Sequence, residues 1–127
     1  MAPIIPAITD AEVETIVARA AAAGALGVSY IPVRLPWEVA PLFRAWLDEH
    51  YSDRAGKVMA IIQSLRGGRD NDPNFFSRMR GEGPWADLLR TRFRIAKSRH
   101  GFPSGRRVLG LRCDLFQPPA GPQGELF

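Results

Sequence analysis

Between Val13 and Ala20 the apolar residues fall at i, i+3, i+4 and i+7, so Val13, Ile16, Val17 and Ala20 share one face of a helix. Thr9 and Glu12, just ahead of that stripe, have capping-box spacing, in which each side chain takes up a backbone donor at the helix start. Ala20 to Ala23 sustain the helix, and Gly24 offers a left-handed stop. The stretches on either side follow a different pattern. Met1 to Ile8 reads as the end of a buried strand, and Val28 to Leu35 reads as a second. Two strands joined by a single helix form a βαβ unit with parallel strands. A parallel pair needs cover on both faces and further strands beside it. The pattern therefore predicts an α/β fragment, the end of a larger parallel sheet. Pro32 cannot donate a ladder hydrogen bond, so it is expected only at a sheet edge or a bulge, and a last strand of the sheet would give it a free side. Arg34 then falls at the C-terminal end of a parallel strand, where α/β folds build their sites.

From Pro36 onward the period becomes helical. Val39, Leu42, Phe43, Trp46 and Leu47 form a wide apolar stripe that runs to His50. A third helix is expected from Ser52 as N-cap, with Val58, Ile61, Ile62 and Leu65 on one face and a stop at Gly67-Gly68. Arg69 to Gly83 reads as a loop that carries the apolar pair Phe75-Phe76. A last helix opens near Pro84, turning Trp85, Leu88, Leu89, Phe93 and Ala96 inward and Arg90, Arg94 and Lys97 outward. The chain thus divides into residues 1–36 (the βαβ part), 37–112 (a mostly α-helical extension with a basic loop) and 113–127 (a tail expected to be frayed or disordered).

Composition narrows the class. An apolar fraction of 46% over 127 residues supports one small buried core. No apolar run approaches the ~20 residues needed to cross a bilayer, and Met1 to Ile8 has no basic residue ahead of an apolar run, so no membrane span or secretory signal is expected. Cys113 is the only cysteine, which excludes an internal disulfide or a cysteine-built metal site within this sequence. A reducing, cytoplasmic setting follows as the expectation. The net charge of +4 hides an asymmetry. Residues 1–50 hold three Arg against six acids, and residues 51–127 hold fourteen Lys or Arg against seven. A basic C-terminal half points to a polyanion such as nucleic acid, the alternative being arginine on solvated helix faces.

Candidate chemistry is sparse. His50 and His100 sit near predicted helix ends, where the dipole favours imidazolium, so capping accounts for both. Cys113 has no neighbouring Cys or His and reads as structural. Gly67-Gly68 lacks the strand before it and the Gly-Lys-Ser/Thr after it that a phosphate loop requires. The run Arg78-Met79-Arg80-Gly81-Glu82-Gly83-Pro84 is more informative: two arginines, a carboxylate and two glycines in a connector favour a binding role. Arg34, Arg78 and Arg80 are expected to converge on one anion-accepting mouth, guanidinium groups being suited to phosphate or carboxylate. The opposing expectation is a set of surface ion pairs with Glu82, Asp70 and Asp72.

Taken in order, Pro3-Ile4-Ile5-Pro6-Ala7-Ile8-Thr9-Asp10, a helix, Gly27-Val28-Ser29-Tyr30, Val33-Arg34-Leu35-Pro36 and Arg78 to Pro84 resemble the C-terminal third of radical S-adenosylmethionine proteins of the spore photoproduct lyase-like, "DNA repair photolyase" group. The resemblance runs from Pro3 to about His100. It implies a partial, six-stranded (β/α) barrel, with Pro3 to Ile8 ending the fifth strand and Val28 to Leu35 as the sixth. It also implies that Ile5, Pro6 and Ala7 border the adenine side of S-adenosylmethionine, at a place where the family usually has Gly instead of Ala7. Such enzymes hold a [4Fe–4S] cluster on Cys-x3-Cys-x2-Cys, and a single cysteine cannot ligate three irons. The expected function is therefore the C-terminal portion of a radical S-adenosylmethionine enzyme, inactive alone, with its barrel half upstream or on a separate polypeptide. The alternatives are a basic nucleic-acid-binding module and a structural remnant without activity. An isolated chain is expected to self-associate, because Ile4, Ile5 and Ile8 would lie on a strand with no upstream neighbour.

Overall fold

Helices dominate residues 1–103, which together with Asp114 and Leu115 are the residues described by the computed structural model. A 3-10 turn over Asp10–Glu12 leads into α1 (Val13–Ala22), followed by α2 (Val39–His50), α3 (Ala55–Ser64) and α4 (Gly83–Arg99). None of these is long and apolar enough to cross a membrane.

The two predicted strands meet, in parallel, at a single bridge between Ile4 and Pro32. Ile4 N–H donates to the Ile31 carbonyl (2.9 Å) and the Ile4 carbonyl accepts from Val33 N–H (2.8 Å). Both bonds flank Pro32, so its missing N–H leaves no gap in the pairing. The bridge does not grow into a ladder, however, and no regular strand forms among the described residues. Pro6, two residues after Ile4, has no N–H for the next rung. The observed fold is thus a small, mostly helical domain, not a regular βαβ sheet.

Thr9 also departs from expectation. Its hydroxyl accepts from Ile5 N–H (2.8 Å), and its own N–H donates to the Ile5 carbonyl (3.0 Å). The hydroxyl closes the Ile5–Thr9 turn and is not a helix cap, so the capping box with Glu12 is not made. The other end of α1 forms as expected. Gly24 adopts φ +80°, with Gly24 N–H bonded to Ala21 O and Ala25 N–H to Ala20 O, a Schellman motif.

Among the described residues, two buried clusters hold the fold. In one, Ile4, Val13 and Val17 pack with Leu89, Phe93 and Ala96 of α4 and with Phe102. In the other, Val33 and Leu35 pack with Leu47 of α2 and with Ala55, Val58, Met59 and Ile62 on or beside the inner face of α3. Each cluster draws on both sides of the 36/37 division. Ile4 is therefore buried and Ile5 and Ile8 half-buried, which corrects the expected exposed edge. Exposure falls elsewhere. Of the wide stripe on α2 only Leu47 is buried, while Leu42 and the preceding Trp37 stand exposed. Helix α2 packs on α3 along one side, and its stripe is wider than that contact. Leu88 of α4, expected inward, is likewise exposed.

Arg92 docks α4 onto α1. Its Nε and Nη2 donate to the two Glu14 carboxylate oxygens (2.8 Å each), and Nη2 also reaches the Asp10 carbonyl (2.9 Å). The Arg92 hydrogen bond is the main cause holding the Glu14 carboxyl below its ordinary value of 4.5. Because the folded value lies below the unfolded one, this contribution is complete above about pH 4.5 and is lost as pH falls through the folded value. Asp70, held low first by Arg44 and then by Gln63, behaves the same way. Melting temperature should therefore fall between pH 5 and pH 2.5. Glu14→Gln should lower stability at pH 7 by about 0.5–1 kcal/mol, since the pair is partly solvated, and should flatten that acid slope. An unchanged slope in Glu14→Gln would contradict this assignment.

Candidate functional site

The chain just past α3 builds a buried polar arrangement around Arg66. Gly67 and Gly68 adopt φ +62° and +84°, and Gly68 N–H bonds back to Gln63 O (2.8 Å). The left-handed pair reverses the chain while Arg66 turns inward. Only 5% of Arg66 is exposed. Its Nη1 donates to the Arg78 carbonyl (2.8 Å) and its Nη2 to the Val33 carbonyl (3.2 Å). One guanidinium therefore ties the basic loop to the bridge-forming segment 31–33.

Burial pushes the Arg66 pKa down, Asp72 opposes that shift, and the nearby charge of Arg34 adds to it. Asp72 stays ionised: the Ser77 hydroxyl (2.5 Å) and the Asn74 N–H (2.8 Å) both donate to it and hold its carboxyl low. Arg78 lies over the Phe75 ring, 4.8 Å from its centroid. The Nε atoms of Arg34, Arg66 and Arg78 are all buried and have no acceptor. Buried donors normally find partners, so these three are unusual.

This arrangement bears on each arginine named from sequence. Arg78 is tied to Arg66 through its carbonyl, while Arg34 acts on Arg66 only as a nearby like charge that disfavours its cation. Arg80 lies elsewhere. It lines a cavity of about 890 Å³ with Val28, Ser29 and Tyr30, at the other end of the segment that carries Arg34, and neither Arg34 nor Arg78 lines that space. The ion pairs expected with Asp70 and Asp72 are not those observed. Asp70 pairs with Arg44 (2.7 Å), and Asp72 bonds to Asn74 and Ser77. Arg66 was not legible as a site residue. Its only signal is its position between the last apolar residue of the α3 stripe and a Gly-Gly turn.

The cavity is chemically two-sided. Arg80, Arg90, Arg94 and Lys97 line it together with Tyr30, Phe93 and Phe102. Burial raises the Tyr30 pKa, Arg90 opposing, and the ring stands edge-on to Phe93 at 4.6 Å. The segment Ile5-Pro6-Ala7 is closed on itself. Pro6 is fully buried, Ile5 and Ala7 pack against the second cluster, and Ile5 N–H and C=O are engaged by Thr9. Ala7 adopts φ +59°, the left-handed region. His50 lies in the last turn of α2 and His100 at the C-cap position of α4, the helix ends where the sequence puts them. Among the described residues, no group of three or more His, Cys, Asp or Glu is placed to hold a metal ion. Cys113 and the tail beyond Leu115 lie outside the described residues.

No protein-family model matches the chain, and neither the curated proteins nor the solved structures include one with significant similarity to it.

Proposed function

We propose that the chain forms the C-terminal portion of a radical S-adenosylmethionine enzyme of the spore photoproduct lyase-like group, with residues 1–36 as the closing βαβ part of a partial (β/α) barrel. The observation that carries this reading is the left-handed backbone of Ala7, at the position where the resemblance has glycine. A positive φ is a conformational demand that glycine meets freely and alanine meets at about 1–2 kcal/mol. The parallel contact of Ile4 with Pro32, across one intervening helix, agrees with the strand order the resemblance implies. A single cysteine does not fit a cluster that needs three thiolates, so no step of the radical chemistry is assigned to this chain. Its own share is the Ile5-Pro6-Ala7 turn on the cofactor side and an anion site for substrate built on Arg34, Arg66 and Arg78.

Sequencing the transcript upstream of the Met1 codon, with its neighbouring frames, tests this. A Cys-x3-Cys-x2-Cys motif, in frame or on an adjacent co-transcribed chain, is the expected result. Its absence from both would overturn the reading. A second reading, a basic module for nucleic acid, is favoured by Arg90, Arg94 and Lys97 on one face of α4.

A further inference from the structure

We propose that the cavity between residues 28–30, the basic loop and α4 is a binding site for a nucleoside polyphosphate. This inference rests on the cavity alone and does not depend on the barrel reading. Positions 90, 94 and 97 are spaced i, i+4 and i+7, so α4 turns three cations toward one concavity, and Arg80 reaches the same space from the loop. Arg90 is paired with Asp87. Among the described residues, no carboxylate pairs with Arg80, Arg94 or Lys97, and none lines the cavity. Three uncompensated like charges around one hollow repel one another, and a polyanion relieves that repulsion while accepting several charge-assisted hydrogen bonds.

Charge alone would suit any phosphate. The remainder of the wall limits the choice. Phe93 and Phe102 are buried, and Val28, Tyr30 and Met79 complete an apolar surface that a bare phosphate would leave unused. The ligand therefore has two parts, a multiply charged end and a flat apolar one. A volume of about 890 Å³ lies in the range of small-molecule sites, near 300–1,000 Å³. An extended nucleic acid needs a long charged track, whereas the cations here span only positions 90 to 97 of α4 and one loop residue. A nucleoside di- or triphosphate meets the charge, shape and size requirements together.

Calorimetric titration of the full chain with ATP, tripolyphosphate, adenosine and a single-stranded oligonucleotide decides the matter. ATP should bind, with tripolyphosphate and adenosine each at least ~10-fold weaker, since each offers one half of the ligand. Arg94→Glu, a change at an exposed position, should weaken ATP binding by ~10-fold or more while leaving the circular dichroism and melting temperature unchanged. Lys97→Glu serves as a second variant should the first misfold. ATP and tripolyphosphate binding equally would reduce the site to a general anion patch and overturn the proposal. So would an oligonucleotide whose affinity grows with length and which ATP does not displace, or no binding of ATP at all. None of these outcomes touches the upstream-sequence test, so the two readings fail independently.

Discussion

Replacing Arg66 by methionine is expected to destabilise the chain by about 2–3 kcal/mol, although methionine keeps the apolar stem. The guanidinium donates to the carbonyls of Val33 and Arg78, and its removal leaves both without this donor, the Val33 carbonyl at a buried place and the Arg78 carbonyl at a partly buried one. Against that loss stands the relief of no longer burying a charge near Arg34. The loss prevails because two charge-assisted bonds disappear at once, at about 1.5–3 kcal/mol each, whereas Asp72 already offsets part of the burial cost. Arg66→Lys separates these effects. Lysine keeps the charge but presents a single ammonium in place of a planar fork, so it should recover only part of the stability. Urea denaturation of the three chains provides the measurement. Stability unchanged in Arg66→Met would mean that the loop is not held through this side chain. The anion site adds a second readout: phosphate should stabilise the wild type more than Arg66→Met if the unmet Nε donors of Arg34, Arg66 and Arg78 share an anion.

The helices were legible because their signals are local. The Val13–Val17 spacing, the Gly24 stop and the cationic face of α4 all depend on neighbours within one or two turns, and all three appear in the structure. Long-range features were less readable. Thr9 had the spacing of a cap, but the Ile5–Thr9 turn captured its hydroxyl, and nothing in the periodicity announces that competition. The stripe Val39-Leu42-Trp46 has the period of a buried face, yet period alone does not reveal how much surface lies opposite to cover it. The proline-rich strand segments illustrate the same limit. Pro32 marks a position whose missing N–H must face away from its partner, but whether one rung or five forms depends also on Pro6. At the candidate site Arg34 and Arg78 were named from strand-end and loop arguments. Arg66 was overlooked because a buried arginine is rare and its role comes from a turn 12 residues before the carbonyl it holds.

That turn meets the basic loop again at Gly81, where the second large effect is expected. Gly81 is buried at φ +71°, and a β-carbon built there would lie 3.0 Å from Leu65 Cδ2 and 3.4 Å from Leu65 Cβ. Leu65 has little room to yield. It is 2% exposed, its carbonyl accepts from Glu82 N–H (3.1 Å), and its own N–H bonds to Ile61 O (3.1 Å). Alanine at 81 therefore incurs the left-handed penalty of about 1–2 kcal/mol and a crowding cost besides. Valine adds a branched side chain against Leu65 and should raise the loss to about 3–4 kcal/mol. Gly67 supplies the control: its φ is +62°, and a β-carbon there meets nothing within 4 Å. Gly67→Ala should show the backbone penalty alone, so the excess in Gly81→Ala measures the Leu65 contact. Equal losses at the two positions, measured by urea unfolding, would show that the loop moves away from Leu65 at little cost. In that event Gly81→Val should also leave ATP binding at the neighbouring Arg80 intact. If instead Gly81 is held as the structure has it, both stability and the position of Arg80 should change together, since Arg80 and Glu82 flank the strained residue and Glu82 is anchored to Leu65.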